Sequence, residues 1–158
     1  MVLVDADACP VKPEITAVAI RRGVPAVFVA ATYLRLADHP MIRLYVAGDG
    51  FDAADDAIAA VAGPGALVLT ADVPLMGRAL GAGAAVLDFR GREMTSANSG
   101  EVTATRDLMH DLRPGIEGAA GRPASGPPAF GPRDRAAFTD GLDRILTRIE
   151  RDGRRAPS

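Results

Sequence analysis

Along the first ninety residues, short apolar runs alternate with amphipathic stretches. Val2, Leu3 and Val4 form a compact apolar run that ends at Asp5. Ile15, Val18, Ala19 and Ile20 then supply an apolar stripe at helical spacing. Pro10 and Pro13 suit the first turn of that helix, and Gly23 suits its end. Residues 24–31 and 42–47 read as buried strands, and Gly48-Asp49-Gly50 as a turn into a helix over 51–62. A strand over 66–70, a helix over about 74–80 and a last strand over 85–88 follow. Apolar strands without period-2 alternation, separated by helices, predict a mainly parallel sheet covered on both faces. The expected fold is therefore α/β, a three-layer α/β/α sandwich.

The remainder has a different pattern. Val102, Thr105, Leu108, Met109 and Leu112 repeat at helical spacing and predict a helix over 99–113. Ten of the nineteen residues from 114 to 132 are Gly or Pro, and a loop that long is usually functional or disordered. A final helix over 132–151 carries Phe138, Leu142, Ile145, Leu146 and Ile149 on one face. The expected organisation is one domain over 1–150, in which 95–150 is an appended helical arm, with a flexible tail over 151–158.

Composition narrows the functional class. With 158 residues, 48% hydrophobic and 24% charged, the chain is globular and of single-domain size. No apolar run approaches the length of a membrane span, and the start lacks the basic region of a signal peptide. The single cysteine, Cys9, excludes an intramolecular disulfide, so a cytoplasmic location is expected. Net charge is only −2, but residues 1–72 hold nine acids against five bases and residues 73–158 eleven against thirteen. An acidic first half and a basic second half suit a cation site facing a polyanion.

Ligands of open parallel sheets bind outside the carboxyl ends of the strands. Asp5 and Asp7 follow the first strand, Asp49 and Asp52 the third, Asp72 the fourth, and Asp88 ends the fifth. Like charges gathered there either force protonation or recruit a cation, and carboxylates suit Mg²⁺ or Mn²⁺. Two such ions about 3.5–4 Å apart can activate water and stabilise the leaving oxygen of a phosphodiester. In the helix over 51–62, Phe51, Ala54, Ile58 and Val61 make the predicted core stripe. Asp55 lies nearest that stripe and Asp56 furthest from it. The expected catalytic set is Asp5, Asp7, Asp55 and Asp72, with Asp52 added as a metal ligand. Structural roles compete: Asp49, Asp52 and Asp72 also suit helix caps, and Asp88 a turn.

Other candidates are weaker. Cys9 precedes a helix N-terminus, which lowers a thiol pKa, but no partner histidine is evident; His39 lies in a loop and His110 in a helix. Thr95, Ser96, Asn98 and Ser99 could donate to a phosphate or cap a helix. Lys12, Arg106, Arg113, Arg133 and Arg135 are the candidate phosphate contacts, each weighed against a solvated helix face.

Three motifs together resemble the YaiI/YqxD family of uncharacterised bacterial proteins: Asp5-Ala-Asp-Ala-Cys-Pro-Val-Lys12, Gly50-Phe-Asp-Ala-Ala-Asp55 and Thr70-Ala-Asp-Val-Pro-Leu75. The match continues through Val86-Leu-Asp-Phe-Arg-Gly91, the stretch from Arg106 to Arg113, and Gly126 to Phe130 with Asp134, Arg135 and Phe138. That family is grouped with PIN-like domains, α/β/α sandwiches that include metal-dependent nucleases. The resemblance implies that Asp5, Asp55 and Asp72 occupy the acidic positions used there for metal, with Asp7 alongside. It implies no known substrate.

The leading expectation is a divalent-metal-dependent phosphodiester hydrolase acting on RNA or structured nucleic acid. A non-catalytic, metal-stabilised module that binds nucleic acid or protein is the main alternative. A haloacid-dehalogenase-like phosphatase using Asp5 is the lesser one, because the sole lysine, Lys12, comes too early for that motif.

Overall fold

A computed structural model describes residues 1–98 and 130–155, so the expected helix over 99–113 and most of the Gly/Pro-rich stretch lie outside the described residues. The elements in chain order are β1 (Val2–Asp5), α1 (Lys12–Arg22), β2 (Ala26–Ala30), β3 (Ile42–Val46), α2 (Ala53–Val61), β4 (Leu67–Leu69), α3 (Val73–Gly81), β5 (Ala85–Leu87), β6 (Glu93–Met94) and a long final helix, α4 (Pro132–Arg155). The six strands form one sheet in the order β3-β2-β1-β4-β5-β6. All pairings are parallel except β5 with β6, which is antiparallel.

Strand alternation builds two cores. Val2, Val4, Phe28, Leu69 and Leu87 face one layer, where Ile15 and Val18 of α1 meet Phe138, Leu142 and Ile145 of α4. Leu3, Val29, Val68 and Val86 face the other, packed on Ile58 of α2 and Leu75, Met76 and Ala79 of α3. This is the α/β/α sandwich expected from the sequence. The final helix is more integral than an appended arm: Phe138 and Ile145 are fully buried, and α4 supplies half of one layer. Ion pairs then lock α4 to α1, with Arg21 and Arg22 on Asp143 at 2.7 and 3.2 Å.

Three local expectations are corrected. The final helix continues through Arg155, four residues past the end expected for the helix over 132–151. Strand β3 is the sheet edge among the described residues and only partly covered, with Tyr45 and Val46 about half exposed. Helix α2 starts at Ala53, which leaves Phe51 outside it and 95% exposed, and of the predicted stripe only Ile58 is fully buried.

The chain moves outward through β2 and β3, then returns past β1 to place β4 on its other side. The switch point therefore lies between β1 and β4, where the loops leaving their carboxyl ends diverge and open a crevice. Asp5 ends one of these strands and Asp72 follows the other.

Candidate metal centre

The carboxylates at the crevice are held in different ways. Asp5, partly buried, accepts a 2.8 Å hydrogen bond from Thr70 Oγ1. Thr70 is fully buried, and the same hydroxyl accepts from the Asp72 amide at 3.0 Å, so one side chain joins the ends of β1 and β4. Asp72 caps α3, its Oδ1 accepting from the Leu75 amide at 3.0 Å. The Asp7 carboxylate accepts from the Ala31 amide at 3.2 and 3.1 Å, which fastens the loop after β1 to the end of β2. Asp52 stands at the N-cap position of α2 in the left-handed region, at φ 57°, yet its side chain makes no capping bond.

A cavity of about 290 Å³ collects five of these acids: Asp5, Asp7, Asp49, Asp52 and Asp55. It lies on the β2–β3 side of the switch point. Asp72 does not line it but is close enough to be felt electrostatically. Burial, then the charges of Asp72, Asp5 and Asp52, push the Asp55 carboxyl up to about 6, against a smaller opposing pull from Arg78. Burial also raises Asp5; the Thr70 hydrogen bond opposes this, and the Asp7 and Asp72 charges add to it. Asp56 faces away and pairs with Arg78 at 2.8 Å.

Whether these residues fit a metal ion is a question of distance as well as charge. Among the described residues, no three His, Cys, Asp or Glu side chains are grouped closely enough to ligate one ion together. Coulomb repulsion acts over several ångströms, whereas oxygen ligation of Mg²⁺ requires about 2.0–2.1 Å. The acids share a field and a cavity without forming a closed ligand cage. Mg²⁺ keeps several of its waters and commonly takes only one or two carboxylates, so the donor set suits that ion in chemistry and number.

Other candidates resolve into structural roles. Burial raises the Cys9 thiol to about 11, against the lowering that a helix N-terminus would bring, and the residue packs in the core. The His39 ring accepts from the Met41 amide at 3.1 Å. The Asp88 carboxylate accepts from the amides of Arg90 and Arg92 at 2.9 and 2.8 Å, so it shapes the β5–β6 turn. Thr95 and Asn98 bond each other reciprocally.

Of the candidate phosphate contacts, Lys12 donates to the Cys9 carbonyl at 2.9 Å, and Arg135 is engaged by Glu14 and the Pro10 carbonyl at 2.8 and 3.0 Å. Arg133 is exposed, while Arg106, Arg113, Ser99 and His110 lie outside the described residues. Sequence reasoning gave Thr70 no role. The available signal was a hydroxyl at the end of an otherwise apolar strand, two residues before an aspartate.

Relatives span nearly the whole chain. A "UPF0178 protein" of Jannaschia sp. (strain CCS1) is 45% identical over 150 residues, covering 95% of this chain and 94% of its own. Proteins of the same name from Nitrobacter winogradskyi and Sphingopyxis alaskensis are each 49% identical, covering 94% and 96% of this chain and 91% and 96% of their own. No solved structure matches. Residues 3–148 match the model of the uncharacterised YaiI/YqxD family, and the chain belongs to that family.

Proposed function

We propose that the protein is a divalent-metal-dependent phosphodiester hydrolase acting on RNA or structured DNA. The observation that carries this is the cavity beside the β1–β4 switch point, where Asp5, Asp7, Asp49, Asp52 and Asp55 gather and where burial, with the charges of Asp72, Asp5 and Asp52, raises the Asp55 carboxyl. Asp5 and Asp55 are the carboxylates that would hold Mg²⁺ or Mn²⁺. Such an ion supplies charge neutralisation at a phosphate and acidifies the water it holds. Thr70 keeps Asp5 turned toward the cavity, and the Ala31 amide keeps Asp7 there.

The exposed Arg133 is the expected phosphate contact among the described residues, replacing the engaged Lys12 and Arg135. A single, buried cysteine suits a reducing compartment, which supports a cytoplasmic location. Among the described residues, no helix is long and apolar enough to cross a membrane.

The test is cleavage of end-labelled single-stranded RNA, an RNA hairpin and a DNA flap in Mn²⁺, by the wild type and by Asp5→Asn and Asp55→Asn. The expected result is product with the wild type only. Absence of cleavage, together with Mn²⁺ affinity unchanged in both variants, overturns the reading.

That the acids form no closed ligand cage among the described residues supports a second reading, a non-catalytic module that binds nucleic acid or protein and whose acids are relieved by protonation or a loosely held cation. Nucleic-acid binding that survives both chelation and Asp5→Asn would support it. A phosphatase with Asp5 as nucleophile has less support, since Lys12 is tied to Cys9 and burial favours the neutral form of Asp5.

A further inference from the structure

A second cavity, of about 360 Å³, opens on the β4–β5 side of the switch point, with Ala71 and Val73 on its wall immediately before and after Asp72. Its lining is mainly apolar, with charged residues of both signs at the edge. Met76, Phe89 and Met94, all buried, give it an apolar floor, and Pro10 closes one side. Its charged residues are Arg90, Arg92 and Asp88; the Asp88 carboxylate is engaged by the turn's own amides and Arg90 pairs with Asp134 at 3.1 Å, which leaves Arg92 as the cation that a bound phosphate would meet.

Both arginines stand on a backbone that cannot easily move. Two amides of their turn are tied to Asp88, and Gly91 between them (φ 88°) is pressed so closely on α4 that a Cβ there would lie 2.4 Å from the Ala137 carbonyl oxygen. Phe130 lines the same cavity, its ring centroid 5.7 Å from the Arg90 guanidinium carbon and 5.3 Å from that of Arg135.

An apolar floor with a guanidinium group at its edge, carried on a held turn, suits a planar ring that carries an anion. A bare phosphate would leave the floor unused, and a purely apolar molecule would leave Arg92 unused. The volume falls at the low end of small-ligand sites, large enough for one base with its sugar phosphate. We infer that this cavity seats one nucleotide unit, the base on Met76, Phe89 and Met94 and the phosphate toward Arg92. This rests on the reading of the crevice as a nucleic-acid site, and it sets a nucleotide next to Asp72, on the side away from the acidic cavity.

The test uses the full chain in EDTA, so that no metal chemistry contributes. Binding of the four nucleoside 5′-monophosphates is compared by calorimetry with that of ribose 5-phosphate and inorganic phosphate. At least one nucleotide should bind about tenfold or more tightly than ribose 5-phosphate, because the base adds stacking contact. Ala71→Trp, which fills the cavity from its exposed rim, and Arg92→Ala should each lower that affinity about tenfold.

Methyl-labelled methionine provides a readout free of mutation: the nucleotide should shift the Met76 and Met94 signals and leave Met41 unmoved. Equal binding of ribose 5-phosphate, or methionine signals that stay fixed, overturns the inference. Nucleotide binding by a protein that cleaves no strand and whose Mn²⁺ affinity is unchanged in Asp5→Asn and Asp55→Asn keeps the seat and removes the hydrolase; cleavage without any nucleotide-induced shift does the reverse.

Discussion

Thr70 Oγ1 donates to Asp5 Oδ2 at 2.8 Å while accepting from the Asp72 amide, so a single buried hydroxyl joins the two strands that bound the switch point. Thr70→Val keeps the shape and removes both bonds, leaving one acceptor and one donor unpaired. The expected loss of stability is about 1–3 kcal/mol, read from urea unfolding. The Asp5 carboxyl should also titrate higher, since the Thr70 bond is the contribution that lowers it. Carbon NMR of the carboxyl group follows that change, and Thr70→Ser should restore both properties. A valine variant as stable as the wild type would show that the link contributes nothing.

Asp55 should make the metal-free protein pay for its charge as pH rises. Its carboxyl is raised from 3.8 to about 6 in the folded state, so between those values the folded chain binds more protons than the unfolded one. Stability from this group is therefore fully present below about pH 4 and lost as pH rises through about 6. In EDTA, Asp55→Asn should gain stability relative to the wild type from pH 4 to pH 7. Mn²⁺ should raise the wild-type urea midpoint at pH 7 and leave it little changed at pH 4. Parallel pH profiles for the two proteins would contradict the assignment.

The layer order and the position of the acids follow from features that are local in sequence. Apolar runs such as Val2–Val4 are too short and too uniform for a half-exposed strand, and in a parallel sheet the residue after each run falls at the ligand-binding edge. Asp5 and Asp72 were legible for that reason. The pairing of β6 with β5 was not, because two residues, Glu93 and Met94, carry no period. Phe51 was misplaced because helical spacing gives the phase of a stripe but not where the helix begins; Asp52 enters α2 with positive φ, which leaves Phe51 in the preceding turn. The engagement of Arg135 with Glu14 was invisible for another reason, since it depends on α4 packing against α1 across 121 residues of chain.

Glu93 and Arg148 tie the short edge strand β6 to α4, with Arg148 Nη1 donating to Glu93 Oε1 at 2.9 Å. The Arg148 hydrogen bond holds the Glu93 carboxyl below its usual range, with burial opposing it. Here the sign is the reverse of that for Asp55: the stability is present above about pH 4.5 and is lost as pH falls through the lowered value. Arg148 is 40% exposed, so solvent screening limits the pair to about 0.5–1 kcal/mol. Glu93→Gln should cost that much at pH 7 in chemical unfolding, and the difference should shrink below pH 4. A loss of the same size at pH 3 would place the effect in packing instead of charge.

Gly91 and Gly77 should respond to alanine with opposite signs. At Gly91 the backbone is left-handed, at φ 88°, and a Cβ would lie 2.4 Å from the Ala137 carbonyl oxygen and 2.6 Å from its carbon. Neither neighbour is a flexible side chain, so Gly91→Ala must push the β5–β6 turn away from α4. Backbone strain and overpacking together predict a loss of about 2–5 kcal/mol. The same displacement moves Arg90 and Arg92, so any nucleotide affinity of the adjoining cavity should fall with it. Gly77 lies within α3, and a Cβ there meets nothing within 4 Å. Gly77→Ala should stabilise the protein by about 0.5–1 kcal/mol through helix propensity alone. Thermal unfolding of the two variants beside the wild type decides the matter: a Gly91→Ala protein that melts with the wild type would mean the turn is not clamped against the helix, and Arg90 and Arg92 would lose the fixed footing that the nucleotide seat requires.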